Sequence, residues 1–258
     1  MCVSELGLVE AHGFRAIAIE SSFTRGRLVN DYVRGTSGPT SYDDIAETGF
    51  SHGFGAHATT RELVDWMREY NTGRLDDDKL RFYGFDAPLE MMWSDSPRSL
   101  IEFVLDYLDA KIGCNKERRE RIAALLGDDA TWENQEAAFD PTKSIGLSPA
   151  AGALRLEVEE LASELSVRGP ALVAASDEAA HREALHYAVV ARQLLNYHAS
   201  IARPSENTVA ALLGVRDPML ADNLILIERR ASSRGRGVAF AHNDPCQPWL
   251  AARRGGAR

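Results

Sequence analysis

Ala16-Ile17-Ala18-Ile19-Glu20 is an apolar run that stops on a carboxylate. Such a run reads as a strand buried on both faces of a parallel sheet, where the usual alternation is lost. Val238-Ala239-Phe240-Ala241-His242-Asn243 has the same form near the other end and stops on a histidine. Leu80-Arg81-Phe82-Tyr83-Gly84-Phe85-Asp86 lies between them, ended by Ala87-Pro88. Strands are therefore expected over 15–20, 80–86 and 237–241. In open α/β sheets, ligands bind beyond the carboxyl ends of the strands. Glu20 and His242 would then reach one rim, with Asp86 a weaker third.

Most of the remaining chain reads as helix. Thr59-x-x-Glu62 has the form of a capping box ahead of Leu63, Trp66, Met67 and Tyr70. Ser96-Pro97 and Ser148-Pro149 each place a cap before a first-turn proline. The first precedes Leu100, Phe103, Val104, Tyr107 and Leu108; the second precedes Leu154, Val158, Leu161 and Leu165. A long helix is expected from Ser176 to His198, with Asp177 and Glu178 suiting its positive N-terminal end. Asp217-Pro218 is expected to open another, leaving Arg216 just ahead of it. Gly35–Pro39, Gly73 and Gly169-Pro170 are read as loops. The expectation is an α/β fold with a mainly parallel sheet flanked by helices. It forms a single domain over 1–258, with a helical insert over about 96–201 and a disordered tail over 252–258.

Composition narrows the function. Hydrophobic residues make up 45% of the 258 and charged residues 26%, ordinary values for a globular chain with a core. A net charge of -9 argues against a nucleic-acid or anionic-membrane surface. No run reaches the roughly 20 apolar residues of a membrane span. Met1-Cys2-Val3-Ser4-Glu5 lacks the basic flank and apolar core of a signal peptide. Cys2, Cys114 and Cys246 are odd in number and widely spaced, as free thiols in a reducing cytoplasm would be.

Few residues suggest chemistry. Glu20 follows four apolar residues, where a carboxylate needs a partner or a place at the rim; Arg25 and Arg27 are the nearest candidates. His242 suits a general base, a metal ligand or a hydrogen-bonded core residue. His52 lies in Ser51-His52-Gly53-Phe54-Gly55, whose glycines allow backbone to approach a ligand. Arg216 is a candidate anion or carbonyl contact, or simply the partner of a helix-capping aspartate. Asp86 is equally explained by the turn that follows it. His181, His186 and His198 read as surface or packing residues on the long helix, and His12 as a cation at a helix end. There is no Gly-x-Ser-x-Gly elbow, phosphate loop, Gly-x-Gly-x-x-Gly fingerprint or His-Glu-x-x-His helix, so no cofactor is implied. Water activation by a His/Glu pair is the simplest chemistry compatible with these residues.

Together the blocks resemble a known family. Gly13-Phe14-Arg15-Ala16-Ile17-Ala18-Ile19-Glu20-Ser21-Ser22 and Arg27-Leu28-Val29-Asn30-Asp31-Tyr32-Val33-Arg34-Gly35 resemble the first blocks of the erythromycin esterase family. Ser51–Gly55, Trp66–Asn71, Phe82–Asp86, Arg216–Asn223 and Ala241-His242-Asn243 are similar to its later blocks, in the same order. The resemblance implies hydrolysis of the ester that closes a macrolide lactone, a small-molecule substrate and antibiotic resistance. It implies Glu20 as the glutamate that orients or polarises water and His242 as an active-site histidine. It further implies Arg216 and Asp86 on the substrate side and His52 in the pocket wall. The family carries a Gly-Glu-x-x-His-Gly motif ahead of the Gly13 block, whose histidine is its proposed base, and a second histidine where this chain has Pro245. The expectation is therefore a central portion of such an esterase. It would be active through Glu20 and His242, or inactive with unpaired sheet edges. A metal-dependent hydrolase or metal-binding module using Glu20, Asp86 and His242 is the third alternative.

Overall fold

A computed structural model describes residues 3–36, 38–90, 93–203, 208–232 and 234–241. His242 and the tail over 252–258 lie outside the described residues. The chain runs α1 (Val3–His12), β1 (Phe14–Ser22), α2 (Gly26–Arg34), α3 (Ala58–Asn71) and β2 (Arg81–Asp86). There follow α4 (Arg98–Ile112), α5 (Lys116–Leu126), α6 (Asp129–Trp132), α7 (Pro149–Val167), α8 (Gly169–Ala175) and α9 (Glu178–Ile201). The last elements are α10 (Thr208–Ala231) and β3 (Arg236–Phe240).

The described sheet is three-stranded in the order β2-β1-β3, with both pairings parallel. β1 is central, which explains its lack of polar alternation. Ile17 and Ile19 enter one core with Val29, Val33, Val64 and Met67 from α2 and α3. Ala18, on the opposite face, joins a larger core built from α4, α5, α7, α9 and α10. The fold is α/β, a parallel sheet flanked by helices with a helical lobe beside it.

The lobe follows its sequence signals. Ser148 Oγ accepts from the Ala151 N–H at 3.1 Å and Asp177 Oδ1 from the Ala180 N–H at 2.8 Å, each capping the helix it precedes. Leu154, Val158, Leu161 and Leu165 line one face of α7 and are fully buried. They belong to the same core as Ala184, Ala188, Ala191 and Leu195 of α9. Ser96 Oγ accepts from the Arg98 N–H at 3.3 Å, but α4 begins at Arg98 with Pro97 as the residue before it, so here the proline precedes the first turn instead of lying in it.

Four further local expectations are corrected. Thr59 does not cap α3, because the helix already begins at Ala58, with His57 as the extended residue before it. Gly169-Pro170 starts α8 rather than forming a loop; proline's missing N–H costs nothing in a first turn. Pro218 does not open a helix but lies inside α10, where it removes one backbone hydrogen bond and favours a bend. β3 is not buried on both faces: only Val238 is half-buried, and Phe240 is 42% exposed, because among the described elements α10 is the main helix packed on β3, whereas β2, the other edge strand, packs on both α2 and α10.

Candidate active site

The pairing of β1 with β2 breaks where β1 carries its carboxylate. Ile19 is opposite Gly84 and Ser22 opposite Asp86, so β1 spends three steps where β2 spends two. The extra residue falls at Glu20-Ser21 and forms a bulge, a device that re-aims side chains at sheet ends. β2 accommodates it only with glycine. A Cβ on Gly84 would stand 2.2 Å from the Ser22 carbonyl oxygen and 2.6 Å from that of Ser21.

The bulge also holds the loop that carries His52. The Ser22 N–H donates to Ser51 Oγ at 2.8 Å and the Ser51 N–H to Ser21 Oγ at 2.9 Å, a reciprocal staple with every partner buried. The next residue, His52, has φ of 55°, a left-handed conformation uncommon for anything but glycine. Its N–H is taken by Glu90 Oε1, and its Nε2 lies 2.9 Å from Asp86 Oδ2. The strained backbone thus aims an imidazole at the end of β2.

Arg216 reaches the same place from α10. Its Nε donates to Asp86 Oδ1 at 3.0 Å, and Nη2 donates to Asp86 Oδ2 at 2.6 Å and Glu20 Oε1 at 3.0 Å. Two turns further on, the Asn223 side-chain amide donates to the Phe85 carbonyl at 3.1 Å and the Asp86 carbonyl at 3.4 Å. Residues seven apart share a helix face, so α10 grips the end of β2 by its carboxylate and its backbone together. Asp86 is fully buried, and burial alone would push its carboxyl up. The hydrogen bonds from His52 and Arg216 and the attraction of the Arg216 guanidinium win, holding it below the usual carboxylate range. Burial opposes the charge on Arg216, but Asp86 and Glu20 outweigh that and raise its pKa.

The network extends through Glu90. Arg25 Nη1 donates to Glu90 Oε2 at 3.0 Å, while Nη2 and Nε pair with the Asp95 carboxylate at 2.5 and 3.3 Å. Burial pushes Asp95 up, with Arg25 opposing. Each arginine therefore lies between two carboxylates, Arg216 between Glu20 and Asp86 and Arg25 between Glu90 and Asp95, and His52 bridges Asp86 and Glu90, which lets a dense polar group stay partly dry.

Of the residues expected to carry chemistry, Glu20, Asp86, His52 and Arg216 come together, and His242 lies outside the described residues. Glu20 meets Arg216, 196 residues away, rather than Arg25 or Arg27. Arg27 instead lies over the Phe103 ring at 4.6 Å. Arg216 stands within α10, not ahead of a helix. Glu90 and Asp95 are absent from the expected site, with a carboxylate directly after Leu89 the one local signal for Glu90; Arg25 is expected only opposite Glu20, and Asn223 only as the end of the Arg216 block. His198 and His186 are packing residues, His186 Nε2 bonding Asn223 Oδ1 at 2.6 Å. Among the described residues no group of three His, Cys, Asp or Glu side chains is arranged to hold a metal, and Arg216 fills the space between the carboxylates of Glu20 and Asp86. Ile19, Glu20, Phe54, Leu63 and Phe240 line an open cleft of about 330 Å³, which of the cluster's residues only Glu20 borders.

The fold has counterparts among solved structures. A Bacillus cereus protein is 18% identical with a TM-score of 0.67, over 93% of this chain and 52% of its own. The erythromycin esterase EreC, as a histidine-to-asparagine mutant in its open conformation, is 19% identical with a TM-score of 0.61, over 93% and 55%. A succinoglycan biosynthesis protein is 15% identical with a TM-score of 0.60, over 92% and 50%. At such identities the likeness is one of fold, and the chain spans about half the length of each. The erythromycin esterase family model matches residues 9–255, from the end of α1 past β3 and through every residue of the carboxylate–arginine cluster, and the chain belongs to that family.

Proposed function

We propose that the chain supplies the hydrolytic centre of a carboxylic ester hydrolase that opens a macrolide lactone with activated water. The observation that carries this reading is Glu20: a bulged strand-end carboxylate that contacts Arg216 and also lines an apolar cleft. Small-molecule sites run from about 300 Å³ upward and are mostly apolar with a few placed polar groups. Ile19, Phe54, Leu63 and Phe240 would take the apolar face of the lactone, and Glu20 would orient the attacking water. His242 follows Ala241, which lines the same cleft, and is the proposed base that takes the water's proton. Arg216 and Asp86 fix the direction of the Glu20 carboxylate, and His52 holds Asp86 in turn. A solution in reducing cytoplasm, with antibiotic resistance as the outcome, is the setting this reading expects.

A second reading has its own support: the carboxylates of Glu20 and Asp86 are both engaged by one arginine, as in a site kept for structure without turnover. Mass spectrometry of erythromycin incubated with the purified protein separates the two. The ester hydrolase gains one water on the substrate, and Glu20→Gln or His242→Ala slows this by roughly 10²–10⁴-fold without lowering Tm. Turnover no faster than that of Glu20→Gln leaves the structural reading.

A further inference from the structure

We infer that the groove along the outer edge of β2 is a second site, built for a small molecule carrying phosphate groups. It shares no residue with the Glu20 cluster and has a volume of about 500 Å³. Seven arginines and four carboxylates line it, a local positive excess in a chain of net charge -9.

Helix ends explain only part of that excess. Arg34, Arg229 and Arg230 lie in last turns, where a cation complements the helix dipole. Arg27 lies in the first turn of α2, where the dipole disfavours it, and Arg81 starts a strand. Arg27 hydrogen-bonds the Tyr187 hydroxyl at 3.3 Å and has no carboxylate in ion-pair range among the described residues. Arg229 also has no ion pair there.

Arg81 carries the argument. Its side chain is 6% exposed, and Nη2 donates to the Asp76 carbonyl at 2.9 Å and the Asp76 carboxylate at 2.6 Å. Nε and Nη1 are buried with no acceptor among the described residues, as is Nε of Arg34. Buried donors on a cation are costly to leave unmet. The Asp76 carboxylate also accepts from Arg34 Nη2 at 2.9 Å, so the two guanidinium groups already share one oxyanion. Asp76 is half exposed and free to yield that place to a ligand with more charge. Arginine forks match phosphate oxygens in pairs, and the partly exposed Tyr83 ring lies beside them in the groove.

Isothermal titration at low salt, where screening is weak, tests this with pyrophosphate and inorganic phosphate as probes. Pyrophosphate should bind saturably at one site with Kd at or below about 1 mM, raise Tm, and exceed inorganic phosphate by about tenfold. Arg81→Gln should abolish binding. Arg229→Gln combined with Arg234→Gln, both on exposed side chains, should weaken it about tenfold while leaving the ligand-free Tm unchanged. The site is refuted by the absence of saturable pyrophosphate heat, or by affinity unchanged in the Arg229→Gln/Arg234→Gln protein.

Discussion

Arg216 holds Asp86 in a two-pronged ion pair, Nε on Oδ1 at 3.0 Å and Nη2 on Oδ2 at 2.6 Å, and the carboxylate it holds has no exposed surface. The pair joins residues 130 positions apart and fixes α10 against the end of β2.

Arg216→Gln therefore strands a buried charge. Removing one partner of such a pair costs about 3–5 kcal/mol, and the lower end applies because Arg216 keeps 24% of its side-chain exposure. Asp86 is held below its ordinary value in the native state, so its contribution is present above the unfolded carboxylate pKa and lost as pH falls through the lower native one. In Arg216→Gln the carboxyl moves up and acid unfolding begins at higher pH. Urea melts from pH 3 to 7 measure both effects; an unchanged acid midpoint would contradict the assignment.

Asn223→Leu removes the donor that serves the Phe85 and Asp86 carbonyls and leaves His186 Nε2 without its acceptor. Unmet buried groups cost about 1–3 kcal/mol each. The variant should lower the urea midpoint without changing the slope, whereas loss of the slope would mean that α10 has come away altogether.

Two glycines give opposite outcomes. Gly84→Ala drives a methyl onto the Ser21 and Ser22 carbonyls, backbone atoms that cannot yield, at a cost of about 3 kcal/mol or more. Gly152→Ala in α7 meets no atom within 4 Å and should stabilise by about 0.5–1 kcal/mol. Calorimetry of the two single variants compares them directly.

His198 sets a pH limit on the lobe. Burial lowers its pKa to about 4, although its ring N–H bonds the Asp95 carbonyl at 3.0 Å. Because the folded value lies below the unfolded one, the unfolded chain binds the extra proton. The contribution is complete above about pH 6.5 and is lost as pH falls toward 4, by roughly 3 kcal/mol. His198→Gln should flatten that part of the stability–pH curve; an identical curve would rule His198 out as its source.

The sequence by itself determined the strands, the helical lobe and the identity of the acidic rim. An apolar run such as Ala16–Ile19 has only one favourable place, the centre of a sheet, and the capped stripes of α7 and α9 have only one buried face. These are local consequences of period and burial. Helix boundaries at Thr59, Gly169 and Pro218 are ambiguous in sequence because proline and threonine fit more than one position of a first turn, and proline survives inside a helix whose other residues favour it. The exposure of β3 depends on which helices cover it, α10 for β3 against α2 and α10 for β2, the other edge strand, a fact about neighbours that no local pattern contains. Tertiary structure alone decided the partners: Arg216 for Glu20 and Asp86, Asp86 and Glu90 for His52, Glu90 and Asp95 for Arg25, and Asp76 for Arg81. Ion pairs are chosen by proximity after the chain has collapsed, and charge carries no record in the sequence of which opposite charge it will meet.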